Sequence, residues 1–294
     1  MAQKTFNVFN YTLMFLTGMI CLLPFVHLLA VSFSDQYAVN ANLVGLWPVN
    51  FTTKSYEFVF TSSQFITAFG ITIKRAVLGV AVNLLLITPC AYALSKTTNE
   101  FSARNVFAWY FVITILFSSS LVPWYLVIRA TKIMDTIWAL ILPGAVPVWS
   151  MLILMNYIRG LPKEVEEAAF IDGADYFTIL LRIVLPVCTP ALATVFLFAM
   201  VNHWNAWFDG LLLMNRVEHY PLQSYLQTII INPSAYIQRM ARSGDPRVRD
   251  LIKLISIRGT RAAQLFIATF PILCVYPFVQ KYFTKGLVLG SVKG

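Results

Sequence analysis

Three histidines, four cysteines and 13 carboxylates are the side chains here that could move protons, attack carbonyls or hold a metal. Their spacing directs them to none of these tasks. His27, His203 and His219 stand apart, without the His-Glu-x-x-His pattern that sets two imidazoles on one helix face, and no Gly-x-Ser-x-Gly turn presents a nucleophile. Cys21, Cys90, Cys188 and Cys274 lie in apolar stretches with no Cys-x-x-Cys pair, where packing as small hydrophobes is the expectation. The Gly-x4-Gly-Lys-Ser/Thr phosphate cradle is also missing from this chain. No catalytic residue, metal ligand or cofactor is expected in it.

The chemistry that the spacing does support is docking. Glu167-Ala168-Ala169-Phe170-Ile171-Asp172-Gly173 sits in a hydrophilic break between apolar segments, and after nine further residues comes Ile183-Val184-Leu185-Pro186. Pro162 suits the first turn of a helix, and Glu164, Glu166 and Glu167 set negative charge at the positive end of its dipole. Ala168 and Ala169 are small enough for another protein's backbone to come close, Phe170 and Ile171 offer apolar anchors, and Asp172-Gly173 ends the helix in a turn. A second helix over 175–182 then leads through Leu185-Pro186 to the next apolar segment. Glu164, Glu167, Ala168, Ala169, Phe170, Ile171, Asp172 and Gly173 are the residues expected to dock.

The elements that position this elbow are membrane helices. The chain is 58% hydrophobic and 12% charged, with a mean hydropathy of +0.70, whereas soluble domains carry about a quarter charged residues. Six stretches, 11–33, 66–94, 106–128, 135–157, 183–204 and 262–283, reach the ~20 residues that a helix needs to cross a hydrocarbon core. Backbone polar groups cannot stay unpaired there, so an all-α polytopic protein of six spans is expected. Trp47, Trp109, Trp124, Trp138, Trp204 and Trp207 fall near segment ends or in nearby loops, as rings at headgroup level do. The first stretch is longer than the roughly 7–15 residues of a signal core and is preceded only by Lys4, so it is expected to remain as a helix.

The pattern E-A-A-x3-G-x9-I-x-L-P resembles the coupling loop of the membrane subunits of ABC importers. Ala91-Tyr92-Ala93-Leu94-Ser95-Lys96 and His203-Trp204-Asn205-Ala206-Trp207-Phe208-Asp209 are similar to sequences in permeases of the maltose-transporter type. The ending Tyr276 to Gly286, closing on Val292-Lys293-Gly294, resembles the branch that imports polysaccharide fragments such as alginate and other uronate oligosaccharides. The resemblance implies the type I permease fold over 1–294 as a single domain, with a cytoplasmic coupling loop at 158–182 and external loops at 34–65 and 205–261. It also implies a heterodimer with a second permease, two ATPase subunits that bind ATP and magnesium, an external solute-binding protein, an oligosaccharide cargo and alternating access. Such a protein sits among lipid in a bacterial inner membrane with both termini cytoplasmic, and nothing in the chain points to nucleic acid. Arg216, Arg239, Arg242, Arg247, Arg249, Lys253, Arg258 and Arg261 crowd the supposedly external 205–261, against the positive-inside tendency, which acts mainly on short loops.

For the solute path, Trp204 and Trp207 offer rings for sugar faces and Asn205 offers both donor and acceptor groups, with anchoring of the helix end as the other reading. Asn83 would face the pore or bond a neighbouring helix. Lys74 and Arg75, near the outer end of the second segment, depart from the usual apolar residues there and would give the entrance a positive potential suited to an acidic, alginate-like oligosaccharide. The alternatives are a neutral sugar, or basic loops that serve an acidic face of the binding protein. An ion-coupled carrier, which needs carboxylates inside the membrane, finds only Asp135 and Asp209 at segment edges.

Overall fold

The computed structural model describes residues 2–117, 120–232, 238 and 246–290, and every element among them is helical. Two apolar runs form uninterrupted helices, Ala2–Ser32 and Ser63–Ser95, each long enough to cross a bilayer. Three of the other four long runs do not form the single spans expected of them. Residues 135–157 are divided into Ile137–Gly144 and Val148–Arg159, bent by 49°, because Pro143 and Pro147 bring no N–H to the ladder. Likewise 183–204 is split by an 83° bend between Tyr176–Val187 and Thr189–Asn205, where Pro186 and Pro190 flank Cys188. The 106–128 stretch is described as Arg104–Leu116 and Leu121–Ala130, with residues 118 and 119 outside the description. By length and composition the described residues give two spans, or up to five if each bent pair counts as one. The sixth expected stretch falls within the 34-residue helix Ile257–Gly290. The side chains of 281–290 and all of 291–294, and so part of the ending that carried the family resemblance, lie outside the described residues.

The stretches expected as external loops are largely helical. Within 34–65 lie Gln36–Asn40 and Lys54–Thr61, and within 205–261 lie Phe208–Leu213, Leu222–Ile231 and Pro246–Leu254. The reason is plain for Leu222–Ile231: Leu222, Tyr225, Leu226 and Ile229 recur at helical spacing and all are buried. Arg239 and Arg242, and the side chains of Arg247 and Arg249, lie outside the described residues.

Contacts group the chain into two compact units, Met1–Phe69 with Leu222–Pro271, and Gly70–Pro221 with Ile272–Gly294. In the first, Phe33 stacks on Phe51 and Tyr56, and Phe65 meets Tyr225 edge-on. The second is built round Ile87, Met151, Leu154, Ile179, Val184 and Val195, all buried. Cys188 is buried in that core and Cys90 is half-buried, whereas Cys21 and Cys274 face outward from their helices rather than packing inside.

Candidate functional site

The elbow at 158–182 folds as its residue types dictate. The helix Lys163–Ile171 carries Glu164 and Glu166 in its first turn. Pro162 stands one position before the helix rather than inside it, with an extended ψ of 129°. At the other end Gly173 has φ +81°, its N–H donates to the Phe170 carbonyl, and the Ala174 N–H donates to the Ala169 carbonyl, both at 3.0 Å. This pair of bonds is the Schellman closure, which requires a left-handed residue where glycine stands. Asp175 then caps the next helix by accepting from the Thr178 N–H at 3.1 Å, and those Thr178 hydrogen bonds hold its carboxyl below the usual range. That helix runs on beyond 182. Pro186 offers no N–H to the Arg182 carbonyl, the turn Leu180–Val184 widens, and the Leu185 N–H reaches back to Leu180.

The elbow presents an apolar tip and hides its floor. Ala169 is buried, whereas Glu164, Glu167, Ala168, Phe170, Asp172 and Gly173 are exposed and Ile171 is 87% exposed. Phe170 meets Tyr176 edge-on at 4.9 Å, which fixes the angle between the two helices. Ile171 is joined on this short stretch by exposed Phe170, Tyr176 and Phe177, and exposed apolar groups of this kind, rather than a lone isoleucine, mark interaction surfaces.

The base of the elbow is tied to the end of the helix Ser63–Ser95. Lys96 is buried, pairs with Glu166 and lies 4.2 Å above the Tyr92 ring. Leu94, in the last turn, has a carbonyl that accepts from both Arg104 (3.0 Å) and Arg159 (2.8 Å), two cations placed at the negative end of the helix. The Thr97 hydroxyl and N–H each donate to Glu100 at 2.7 Å and keep that carboxyl below its usual range. Lys96, Thr97, Glu100, Arg104, Arg159 and Glu166, with Lys163, Glu167 and Phe170, line a cleft of about 500 Å³. Sequence reading missed Lys96 and Glu166 as a pair because 70 residues separate them.

A second cleft, of about 600 Å³, is lined by Leu121, Trp124, Asn202, Asn205, Trp207, Phe208 and Asp209. Asn205 and Trp207 thus line a cavity. Trp204 does not: it is 2% exposed and turned into the fold. Arg75 is no entrance charge either. Its guanidinium is buried, forks onto both carboxylate oxygens of Asp209, and donates to the Ala206 and Leu140 carbonyls at 3.3 Å each, so its charge is answered inside the protein. Lys74 stays exposed and lines a smaller pocket of about 220 Å³ with Asp135 and His219. His219 is not isolated, since its Nδ1 lies 2.9 Å from Asp135.

Asn83 bonds neighbouring elements rather than facing the pore. Its Nδ2 donates to the Gly144 and Ala145 carbonyls at 2.9 and 2.8 Å, groups that the break before Val148 leaves without a ladder partner, and its Oδ1 lies 2.9 Å from His203 Nε2. A carboxamide oxygen only accepts, so the proton of His203 sits on Nε2. The His203 ring packs flat against Gly79, where a methyl group would overlap it. Gly79→Ala is therefore expected to destabilise the chain by about 1–3 kcal/mol through overpacking, read as a fall in melting temperature; a wild-type melting curve would show that the ring has room to move.

Comparison with known proteins places this geometry. A model of the family described as "Binding-protein-dependent transport system inner membrane component" matches residues 90–288. The polygalacturonan/rhamnogalacturonan transport system permease protein YtcP of Bacillus subtilis (strain 168) is 34% identical over 296 residues, covering 100% of this chain and 100% of that protein. Protein LplC of the same organism is 35% identical over 293 residues, covering 100% of this chain and 96% of its own length. Among solved structures, that of a bacterial ABC transporter involved in the import of the acidic polysaccharide alginate superposes with a TM-score of 0.86 at 29% identity, over 96% of this chain and 98% of that one. The fold, the elbow and these end-to-end matches agree, and the chain belongs to the binding-protein-dependent transport system inner membrane component family.

Proposed function

We propose that this chain is the pore subunit of an importer that moves oligosaccharides into the cytoplasm, with its elbow at 163–173 seated in a separate ATPase. The observation that carries the reading is the elbow itself: a capped helix with a glycine-closed end, an exposed Ile171 at its tip and a buried Lys96–Glu166 tie at its base. That construction suits a knob that transmits displacement, because the tip is available to a partner while the base cannot slide. The elbow then faces the cytoplasm, and with it both termini. A second permease and an external binding protein complete the assembly, and ATP with magnesium binds the ATPase subunits. ATP-driven closure of those subunits moves the elbows and turns the solute cleft from one side of the membrane to the other.

The cargo we propose is an acidic oligosaccharide. Support comes from relatives whose names specify polygalacturonan and alginate, both polymers of uronate units. The charge argument is weaker than the sequence alone suggested, because Asp209 answers Arg75; Lys74 and the exposed Arg216 remain. Asn205 and Trp207, on the rim of the larger cleft, are the side chains best placed to meet sugar.

Uptake should require ATP and the separate ATPase and should be indifferent to a collapsed proton gradient. Among the described residues, the one carboxylate that lines the larger cleft, Asp209, is committed to Arg75 and so is not free to carry a proton. Proteoliposomes containing the assembled complex, with and without internal ATP and with a protonophore, measure this. Uptake without ATP that the protonophore abolishes would reassign the chain to ion-coupled carriers. Competition between trigalacturonate and a neutral trisaccharide in the same vesicles tests the cargo class independently.

A further inference from the structure

We propose that Arg258 and Arg261 form a binding site for the headgroup of an anionic phospholipid. The two arginines stand one turn apart in the first turns of the helix Ile257–Gly290, and the first helix ends beside them at Ser32. Two clefts, of about 450 and 470 Å³, meet at this pair, and both arginines line both. Neither pairs with a carboxylate among the described residues. Arg258 donates to the Asn42 side chain at 2.5 Å and Arg261 to the Ile229 carbonyl at 3.2 Å, while the buried Arg261 Nε has no partner. A guanidinium carries five donors, so most of this capacity is unused.

Unanswered basic charge near a membrane helix end attracts anionic headgroups. The N-terminus of the helix Ile257–Gly290 adds the positive end of its dipole at the same place. The walls decide which anion. Leu28, Val31, Val39 and Leu265 line one cleft and Ile252 and Ile255 the other, and no Phe, Tyr or Trp lines either, so a sugar ring finds no stacking face. Beside the first cleft, Leu23, Phe25 and Val26 point outward from the first helix, with the surface of a segment that faces lipid. An oxyanion for the arginines joined to acyl chains for these aliphatic walls is an anionic phospholipid. The proposal needs only that the chain lies in a membrane, and it stands or falls apart from the cargo.

The test uses the full chain purified with its co-expressed subunits and placed in phosphatidylcholine nanodiscs with or without phosphatidylglycerol. Native mass spectrometry should show phosphatidylglycerol retained in preference to phosphatidylcholine by the wild type. Arg258→Gln with Arg261→Gln should reduce that retention by about twenty-five-fold, at roughly fivefold for each basic side chain at a membrane surface. The double lysine variant should keep part of it, which separates lost charge from lost folding. Inorganic phosphate and trigalacturonate should neither displace the lipid nor raise the melting temperature. Equal stabilisation by either would make this a site for free oxyanions and overturn the lipid assignment. So would glutamine variants that keep phosphatidylglycerol but shed a subunit from the complex, which would make the patch a protein interface.

Discussion

Gly173→Asp and Ala168→Trp are expected to reduce sugar uptake by at least about thirtyfold while the membrane complex still assembles, the loss expected when one central contact worth ~2–4 kcal/mol is removed from an interface. The two act differently. Gly173 closes its helix at φ +81°, which costs an L-residue about 1–2 kcal/mol, and an aspartate there adds a third carboxylate to Asp172 and Asp175. Ala168 is exposed, so an indole has room in this chain, but it fills the space that a partner's groove would occupy. Uptake, ATPase co-purification and sugar-stimulated hydrolysis in proteoliposomes measure the result. Normal sugar-stimulated hydrolysis with both substitutions would remove the elbow from the coupling path.

The second large effect concerns Arg75 and Asp209. Asp209→Ala strands a guanidinium whose side chain is 3% exposed, and breaking a buried pair from one side costs about 3–5 kcal/mol. Because the same guanidinium holds the Ala206 and Leu140 carbonyls, the rim carrying Asn205 and Trp207 should loosen with it. Thermal unfolding should fall sharply for Asp209→Ala and less for Asp209→Asn, which keeps an acceptor. Replacing both residues with apolar side chains of similar size, Arg75→Met with Asp209→Leu, should recover part of the loss. Equal melting temperatures for Asp209→Ala and wild type would show the pair to be energetically idle.

The difference between what sequence reading found and what it missed follows the range of the interactions. The elbow was legible because its determinants are local: a Schellman closure spans six residues, and its glycine stands where the turn must be left-handed. Arg75 was read as an entrance charge and Asp209 as a lone carboxylate at a segment edge because 134 residues separate them and only the fold makes them partners. Trp204 stood open between the sugar path and anchoring of the helix end because a helix that is apolar on every face carries no stripe to say which side is buried. The breaks at Pro143–Pro147 and Pro186–Pro190 were written in the sequence but overridden by the continuity of the apolar runs. Leu222–Ile231 was hidden by the opposite error, its periodicity overlooked inside a stretch assigned to loop.

Arg75 and Lys96 mark the two ends of one rod. At 1.5 Å per residue, the helical stretch between them is about 30 Å long, with one end clasped to the rim of the larger cleft and the other to the base of the elbow. On the proposed function, a shaft fixed at both ends makes the two sites halves of one thermodynamic cycle: whatever free energy solute binding lends to ATPase engagement, ATPase engagement must lend to solute binding. Weakening either clasp should therefore lower both couplings together, and the losses from Asp209→Asn and Glu166→Gln should fail to add. Pro89 lies on this shaft and removes one rung of its ladder. On the coupling proposed above, it is the place where the shaft would bend instead of transmitting.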